Sequence, residues 1–372
     1  MSVDAAACPR ANEWTGAQEF SRIHGGADTA PFIRNLHARI EAVAWGDDSM
    51  PVTVNSGEAG NAWVCSPLAT YRDYAVEEIR RNLPGAAAGP LSLLCRGFGY
   101  ALQRAGIDRA VALNNWLLST NLYPPLQQGL LRRQLDDALQ RWPGHALWFR
   151  SLNDGMNADW LAALRQLDFV LIPSRQVYLY GDDPLALQTH GNFQRDLRML
   201  HATALHRTDG SDFTDADYVQ AAHLYEELYL QKYTPLNPQY TPLFIRSWHR
   251  AGLLQLRGFR DAHGTLIGVV GIFRQGGALT APILGYSMAL PQTAGLYRLL
   301  IAAVLEEAMQ TRATVNLSAG AAHFKRLRGG KPAIEYSAVL ATHMPASTQR
   351  AIAMLSALTI RFGIPIMRRF EL

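Results

Sequence analysis

The chain has 372 residues and a mass of 41.1 kDa; it is 48% hydrophobic and 18% charged, with 30 Gly and 19 Pro scattered without period. That excludes a disordered tail protein, a collagen and a coiled coil, and the length suggests two domains. Net charge is +4, from 35 basic and 31 acidic residues, which leaves room for an anionic ligand without demanding a nucleic acid.

Three cysteines, Cys8, Cys65 and Cys95, are too few and too scattered for a disulfide framework or a zinc site, so no metal is expected. No unbroken apolar run reaches 18 residues, and Met1–Thr15 lacks a basic-then-apolar leader pattern. The expectation is a reduced, cytoplasmic protein with no membrane span.

From Val111 the pattern alternates between strand and helix. Val111–Ser119 reads as a strand stopped by Pro124–Pro125, and Leu130–Trp142 as a helix on the stripe Leu130, Leu131, Leu135, Ala138, Leu139. His145–Arg150 is a short strand, and Asp154 or Asn157 can cap a helix through Leu167. Val170–Ile172 and Gln176–Tyr180 look like a final pair of strands. The glycines at 25–26 and at 97 and 99 read as turns.

A second pass follows Gly181–Pro184. Thr203–Arg207 is a strand candidate, Thr214 or Asp217 caps a helix to about Lys232, and Thr241–Ala251 is a short helix. Strand candidates Leu253–Phe259, Leu266–Phe273 and Thr280–Ala289 are separated by hairpin turns at Asp261–Gly264 and Gln275–Gly277. A helix from about Ala294 to Gln310, a strand at Thr314–Leu317, a short helix at Ala321–Leu327 and a strand at Tyr336–Ala341 complete the pass. The tail Ser347–Phe362 is an amphipathic helix. The two passes share their element order, which reads as a tandem repeat of one α+β unit.

The chemistry concentrates at Leu284–Tyr297 (LGYSMALPQTAGLY), where a strand ends, a Gln-x-x-Gly turn follows and a helix starts. Unpaired N–H groups and the helix dipole make such a start an anion site, and Gly295 lets backbone approach a phosphate. This segment resembles the pyrophosphate loop of the GNAT acyltransferases, with Gln292 and Gly295 matching and Tyr297 in place of a small residue. Downstream, Asn316, Phe324 and Gly329 fit the GNAT pattern of strand, asparagine and Phe-Tyr helix. Lys325 holds the position of the tyrosine general acid, as in the FemAB-like branch. Phe193–His201 resembles the basic helix of that branch. The resemblance covers about residues 190–342; the first half shares the element order only, with Leu126–Leu130 (LQQGL) as a weak copy of the loop.

The resemblance implies an α+β fold of tandem GNAT-like domains, each a mixed sheet flanked by helices. It divides the chain into a degenerate domain at 1–185, an active domain at 186–345 and a C-terminal helix and tail at 346–372. It further implies a coenzyme A thioester as co-substrate, held by Tyr286, Met288, Gln292, Gly295, Leu296, Tyr297, Arg298 and Asn316. Acid–base and charge-stabilising candidates are Lys325, Glu335 and His323, with Glu226 and Glu227 less placed. The cluster Lys325, Arg326, Arg328, Lys331 reads equally as a phosphate site or as a solvated helix end. The leading expectation is acyl transfer from acyl-CoA to the amine of a small acceptor. An aminoacyl-tRNA donor and a non-catalytic binding module are the alternatives. No GxSxG, P-loop, HExxH or paired CxxC competes.

Overall fold

The computed structural model describes residues 16–26, 28–181 and 183–372; Cys8 and the expectation about Met1–Thr15 lie outside the described residues. The first half forms α1 (Ala17–His24), β1 (Arg39–Trp45), β2 (Asp48–Ser56), a π-helical segment Ala69–Tyr74 running into α2 (Ala75–Asn82), α3 (Gly85–Arg104), β3 (Arg109–Leu113), α4 (Gln128–Arg141), β4 (Ala146–Asn153), α5 (Ala158–Gln166) and β5 (Val170–Tyr180). The second half forms α6 (Pro184–Gln188), α7 (Gly191–Ala202), β6 (His206–Thr208), α8 (Asp215–Tyr225) running into a π-helical segment Glu226–Tyr233, α9 (Pro242–Arg250), β7 (Gln255–Arg260), β8 (Leu266–Gln275) and β9 (Ala278–Tyr286). It continues with α10 (Leu296–Thr311), β10 (Thr314–Asn316), α11 (Ala322–Arg326), β11 (Lys331–Leu340), α12 (Ala346–Leu358) and α13 (Ile364–Phe370).

All eleven strands join one mixed sheet in the order β1-β2-β3-β4-β11-β5-β10-β9-β8-β7-β6, with helices on its faces, so the α+β tandem class holds. Each half contains a parallel strand–helix–strand crossover, then a helix, then a last strand: β3-α4-β4-α5-β5 and β9-α10-β10-α11-β11. The last strands are exchanged. β5 pairs antiparallel with β10 of the second half, β11 pairs antiparallel with β4 of the first, and the two pair with each other at the centre. Upstream the halves differ, with helices between β2 and β3 in one and between β6 and β7 in the other.

Four expectations are corrected. Strand β3 stops at Leu113, because Asn114 turns into the left-handed region (φ 55) and Asn115 Nδ2 donates to Thr53 and to the Val64 carbonyl. Residues 170–180 form one strand, not two: Pro173 sits opposite Tyr336 at a β-bulge, where its missing N–H is tolerated. Gly97 and Gly99 lie inside α3; Gly99 is where that helix crosses the Arg72 stem, which an added Cβ would strike. Finally, residues 346–370 form one 25-residue helix, widened by a π-helical turn at Thr359–Gly363, with a mean hydropathy of 1.4 in its most apolar stretch. By length and composition it could cross a membrane, although Arg350 and Arg361 break its apolar run. Here it lies along the sheet: Ser356 Oγ donates to the Leu171 carbonyl and Gln176 N–H to that of Leu372.

The first half docks on the second through His24 as well. It is buried among Phe20, Phe32, Phe244 and Trp248, and its Nε2 accepts from Trp248 Nε1–H at 2.9 Å. Burial lowers its pKa from 6.5 to about 3. The folded state therefore binds this proton only in strong acid, whereas the unfolded chain binds it below 6.5. Stability from this group is complete above 6.5 and is lost on going down toward 3. At pH 4.5, two units below 6.5, the loss is about 3 kcal/mol. Urea unfolding of wild type and His24→Gln, which keeps an acceptor for Trp248, should show that much difference in pH dependence; parallel curves would refute it.

Candidate functional site

The parallel partners β9 and β10 pair over only three residues, Ala278–Thr280 against Thr314–Asn316. Beyond them the chain leaves β10 toward β5, with Leu317 N–H donating to the Tyr178 carbonyl at 3.0 Å. One edge of Ala281–Tyr286 is therefore left without a neighbouring strand. The divergence is held by Lys325, 3% exposed, whose Nζ donates to the carbonyls of Leu317 (2.7 Å), Ser318 (3.2 Å) and Ala319 (2.8 Å). Burial, helped by the charge of Arg175, pushes its pKa down to about 7. The three carbonyls act in the opposite sense, since only an ammonium has three N–H groups to fill them. Lys325 is thus occupied in building the turn, which corrects its expected role as a free charge facing substrate.

The turn before α10 is as the sequence suggests. Gln292 starts a 3₁₀ turn, and Gly295 is the N-cap in the left-handed region (φ 67), so no side chain caps the helix. Its first N–H groups, from Leu296 on, remain open to an anion. Gln292 and Met288 are exposed; Leu296 is buried core. Tyr297 does not lie over this turn. It packs on Phe324 at 4.8 Å and near Tyr286 at 6.2 Å, in the wall of the gap. Asn316 is buried, and its Oδ1 accepts from Ser318 N–H at 2.9 Å.

The basic cluster is not a free phosphate patch. Asp196 of α7, 2% exposed, takes Arg298 at 2.6 Å and Arg328 at 2.5 Å, and Arg328 lies 3.4 Å from the Phe324 ring centroid. Arg326 pairs with Glu371. Arg298 therefore ties α10 to α7, a correction to its expected ligand role, and the two arginines leave one positive charge over near the α10 start.

The central pair is Arg175 and Glu335, directly opposite on the exchanged strands β5 and β11. Nε and Nη2 of Arg175 donate to the two carboxylate oxygens at 2.8 and 3.2 Å, both side chains being buried. Nη2 also donates to the Ser119 carbonyl and to Thr120. Arg150, equally buried, donates to Asn115 Oδ1 at 3.0 Å, and both guanidinium groups lie about 5 Å from the Trp63 ring (5.0 and 4.9 Å). Trp63 Nε1 donates across the junction to Asn237 at 2.9 Å. Against this core stand Tyr74, ending one π-helical segment, and Tyr229, within the other; burial raises the pKa of both phenols, and the charge of Arg175 offsets only part of that. π-Helical turns recur at functional sites because the wider turn re-aims side chains.

Of Glu335 and Lys325, both expected in the site, Glu335 pairs with Arg175, and Lys325 feels only the charge of that arginine. His323 is exposed on α11 and shares no described hydrogen bond with either. Arg150, Arg175, Trp63 and Tyr74 escape sequence reading, since an arginine inside an apolar strand run carries no period. Only the Tyr225, Tyr229, Tyr233 spacing is visible there. On the other side of the β5–β11 pair, a groove of about 740 Å³ is lined by Gln176, Tyr180, Arg326, Lys331 and Glu371 among others.

No family model matches the chain, and no curated protein does. Among solved structures it is similar to the C-terminal domain of a lysylphosphatidylglycerol synthetase candidate from Agrobacterium fabrum, at 13% identity and TM-score 0.43 over 68% of this chain and 82% of that one. FemX is similar at 9% identity and TM-score 0.46, over 62% and 80%. A tandem GNAT protein from the clavulanic acid biosynthesis pathway is similar at 14% and 0.35, over 62% and 75%. Overlaps this loose leave the site to be read from its own geometry.

Proposed function

We propose that the chain is an acyltransferase that moves an acyl group from a coenzyme A thioester to the amine of a small acceptor by direct attack. The observation that carries this reading is the gap between β9 and β10 beside an uncapped helix start. An extended pantetheine arm fits the unpaired edge of Ala281–Tyr286 as an added strand. The pyrophosphate then meets the N–H groups at Gly295–Arg298 and the residual positive charge beside Asp196. Attack of the neutral amine on the thioester carbon develops negative charge on the carbonyl oxygen, which edge N–H groups can hold; collapse breaks the C–S bond and expels the thiolate, and the proton lost by the attacking nitrogen ends on that sulfur as free thiol. The acceptor would lie between the two halves, against Tyr74, Trp63 and Tyr229. The engagement of Arg298 and Arg328 by Asp196 counts against an aminoacyl-tRNA donor.

The test uses two substitutions at Gly295. A Cβ there strains the left-handed backbone and meets the Met199 side chain, and alanine and aspartate share that cost. Only aspartate adds a negative charge to the turn beside the pyrophosphate. Calorimetric titration with coenzyme A should therefore show Gly295→Asp at least about tenfold weaker than Gly295→Ala, like charges in contact being strongly unfavourable. Equal affinities would remove the site. Tight coenzyme A binding with no release of free thiol from acyl-CoA, over a panel of amines, would favour the binding module.

A further inference from the structure

Exposed apolar side chains are concentrated on one face. Of the twelve large hydrophobic residues exposed among the described residues, seven lie on two helices: Leu93, Leu94 and Tyr100 on α3, and Met354, Leu358, Ile360 and Phe362 on the C-terminal helix. Leu93 and Leu94 are 73% and 71% exposed, more than any other of the twelve. The two helices belong to one layer. Leu102 of α3 and Ile352 and Leu355 of α12 share a core with Trp148, Ile172 and Val339 of the sheet, and Thr348 Oγ donates to the Ala105 carbonyl at 2.6 Å. Their outward sides therefore form one surface.

The charge carried by the two helices has one sign. Neither 85–107 nor 346–370 contains an Asp or Glu, while Arg96, Arg104, Arg350, Arg361, Arg368 and Arg369 are all present. None of the six joins an ion pair among the described residues. Arg104, Arg361 and Arg369 lie 5.7, 5.6 and 5.8 Å from neighbouring aromatic rings. Only 28% of the most apolar window of the C-terminal helix is buried, so the protein itself does not account for that hydropathy.

We propose that this face docks on an anionic bilayer surface, with the C-terminal helix lying in the interfacial plane. Aliphatic side chains flanked by arginines and free of acids are what such an interface selects: the apolar groups enter the acyl boundary and the guanidinium groups stay at the phosphates. A nucleic acid would meet the arginines but leave the Leu, Ile and Met face in water. The inner face, through Ile352, Leu355 and Met367, stays in the protein core, so the helix rests on the membrane and does not cross it.

Sedimentation of the full chain with vesicles tests this. Vesicles containing phosphatidylglycerol should bind at least about tenfold more tightly than phosphatidylcholine alone, and the preference should fall with added salt. The pair Leu94→Gln and Phe362→Gln should weaken binding at least about tenfold with the melting temperature unchanged, because both side chains are more than half exposed. Arg350→Gln with Arg361→Gln should reduce the lipid-charge preference. Equal binding to both vesicle types, or unaltered binding by the Leu94 and Phe362 pair, would overturn the proposal. So would a dimer in sedimentation equilibrium without lipid that this pair abolishes, which would give the face to a second copy of the chain.

Discussion

Glu335→Ala should destabilise the protein by about 3–5 kcal/mol, the scale for breaking a buried ion pair by removing one partner. Both carboxylate oxygens accept from Arg175, and the pair spans the exchanged strands β5 and β11 at the sheet centre. Alanine there leaves Arg175 and the nearby Arg150 as two buried cations with hydroxyl, amide, carbonyl and ring partners only. The double variant Arg175→Met with Glu335→Leu removes the pair's charges and should recover part of the loss, because an apolar pair needs no desolvated partner, while Arg150 stays without a carboxylate. Thermal and urea unfolding of the single and double variants decide it. A single variant within about 1 kcal/mol of wild type would mean that water already reaches the pair.

Lys325→Met is the second large effect. Three carbonyls of Leu317–Ala319 lose charge-assisted hydrogen bonds at once, and one bond of that kind is worth about 1.5–3 kcal/mol. The expected loss is about 3 kcal/mol, since water can replace part of the set. The turn that keeps β10 apart from β9 should then relax, weakening coenzyme A binding together with turnover. Arg326→Met, one residue on, breaks a half-exposed pair with Glu371 and should stay within about 0.5 kcal/mol. Titration with coenzyme A, kinetics and melting on both variants separate the roles. A fall in kcat with melting temperature and coenzyme A affinity unchanged would place the ammonium in the chemistry itself.

The relation between these residues illustrates what local pattern carries. Gln292, Gly295 and the helix after them were legible because an N-terminal turn is encoded within a few residues: a breaker, a left-handed glycine and an apolar stripe. A helix start capped by Thr214 or Asp217 was legible for the same reason; the structure makes Thr214 the N-cap and closes a capping box with Asp217. Strand ends were less so. Asn115, which helps to terminate β3, does so through partners that lie far along the chain, Thr53 and Val64.

By itself the sequence determined the alternation of strands and helices, the repeat of element order and the helix start at Gly295, all set by neighbours within one or two turns. Only the tertiary structure decided that β5 and β11 change places between the halves, because strand pairing depends on which edges meet and not on the composition of either strand. That exchange brings Arg175 opposite Glu335, joins Trp63 to Asn237 across the junction, and sets Tyr74 and Tyr229 around them. It likewise decided that Lys325 and Arg328 are interior and Arg361 is not: a cation's sequence position carries its charge, while its partners and exposure come from the elements packed around it.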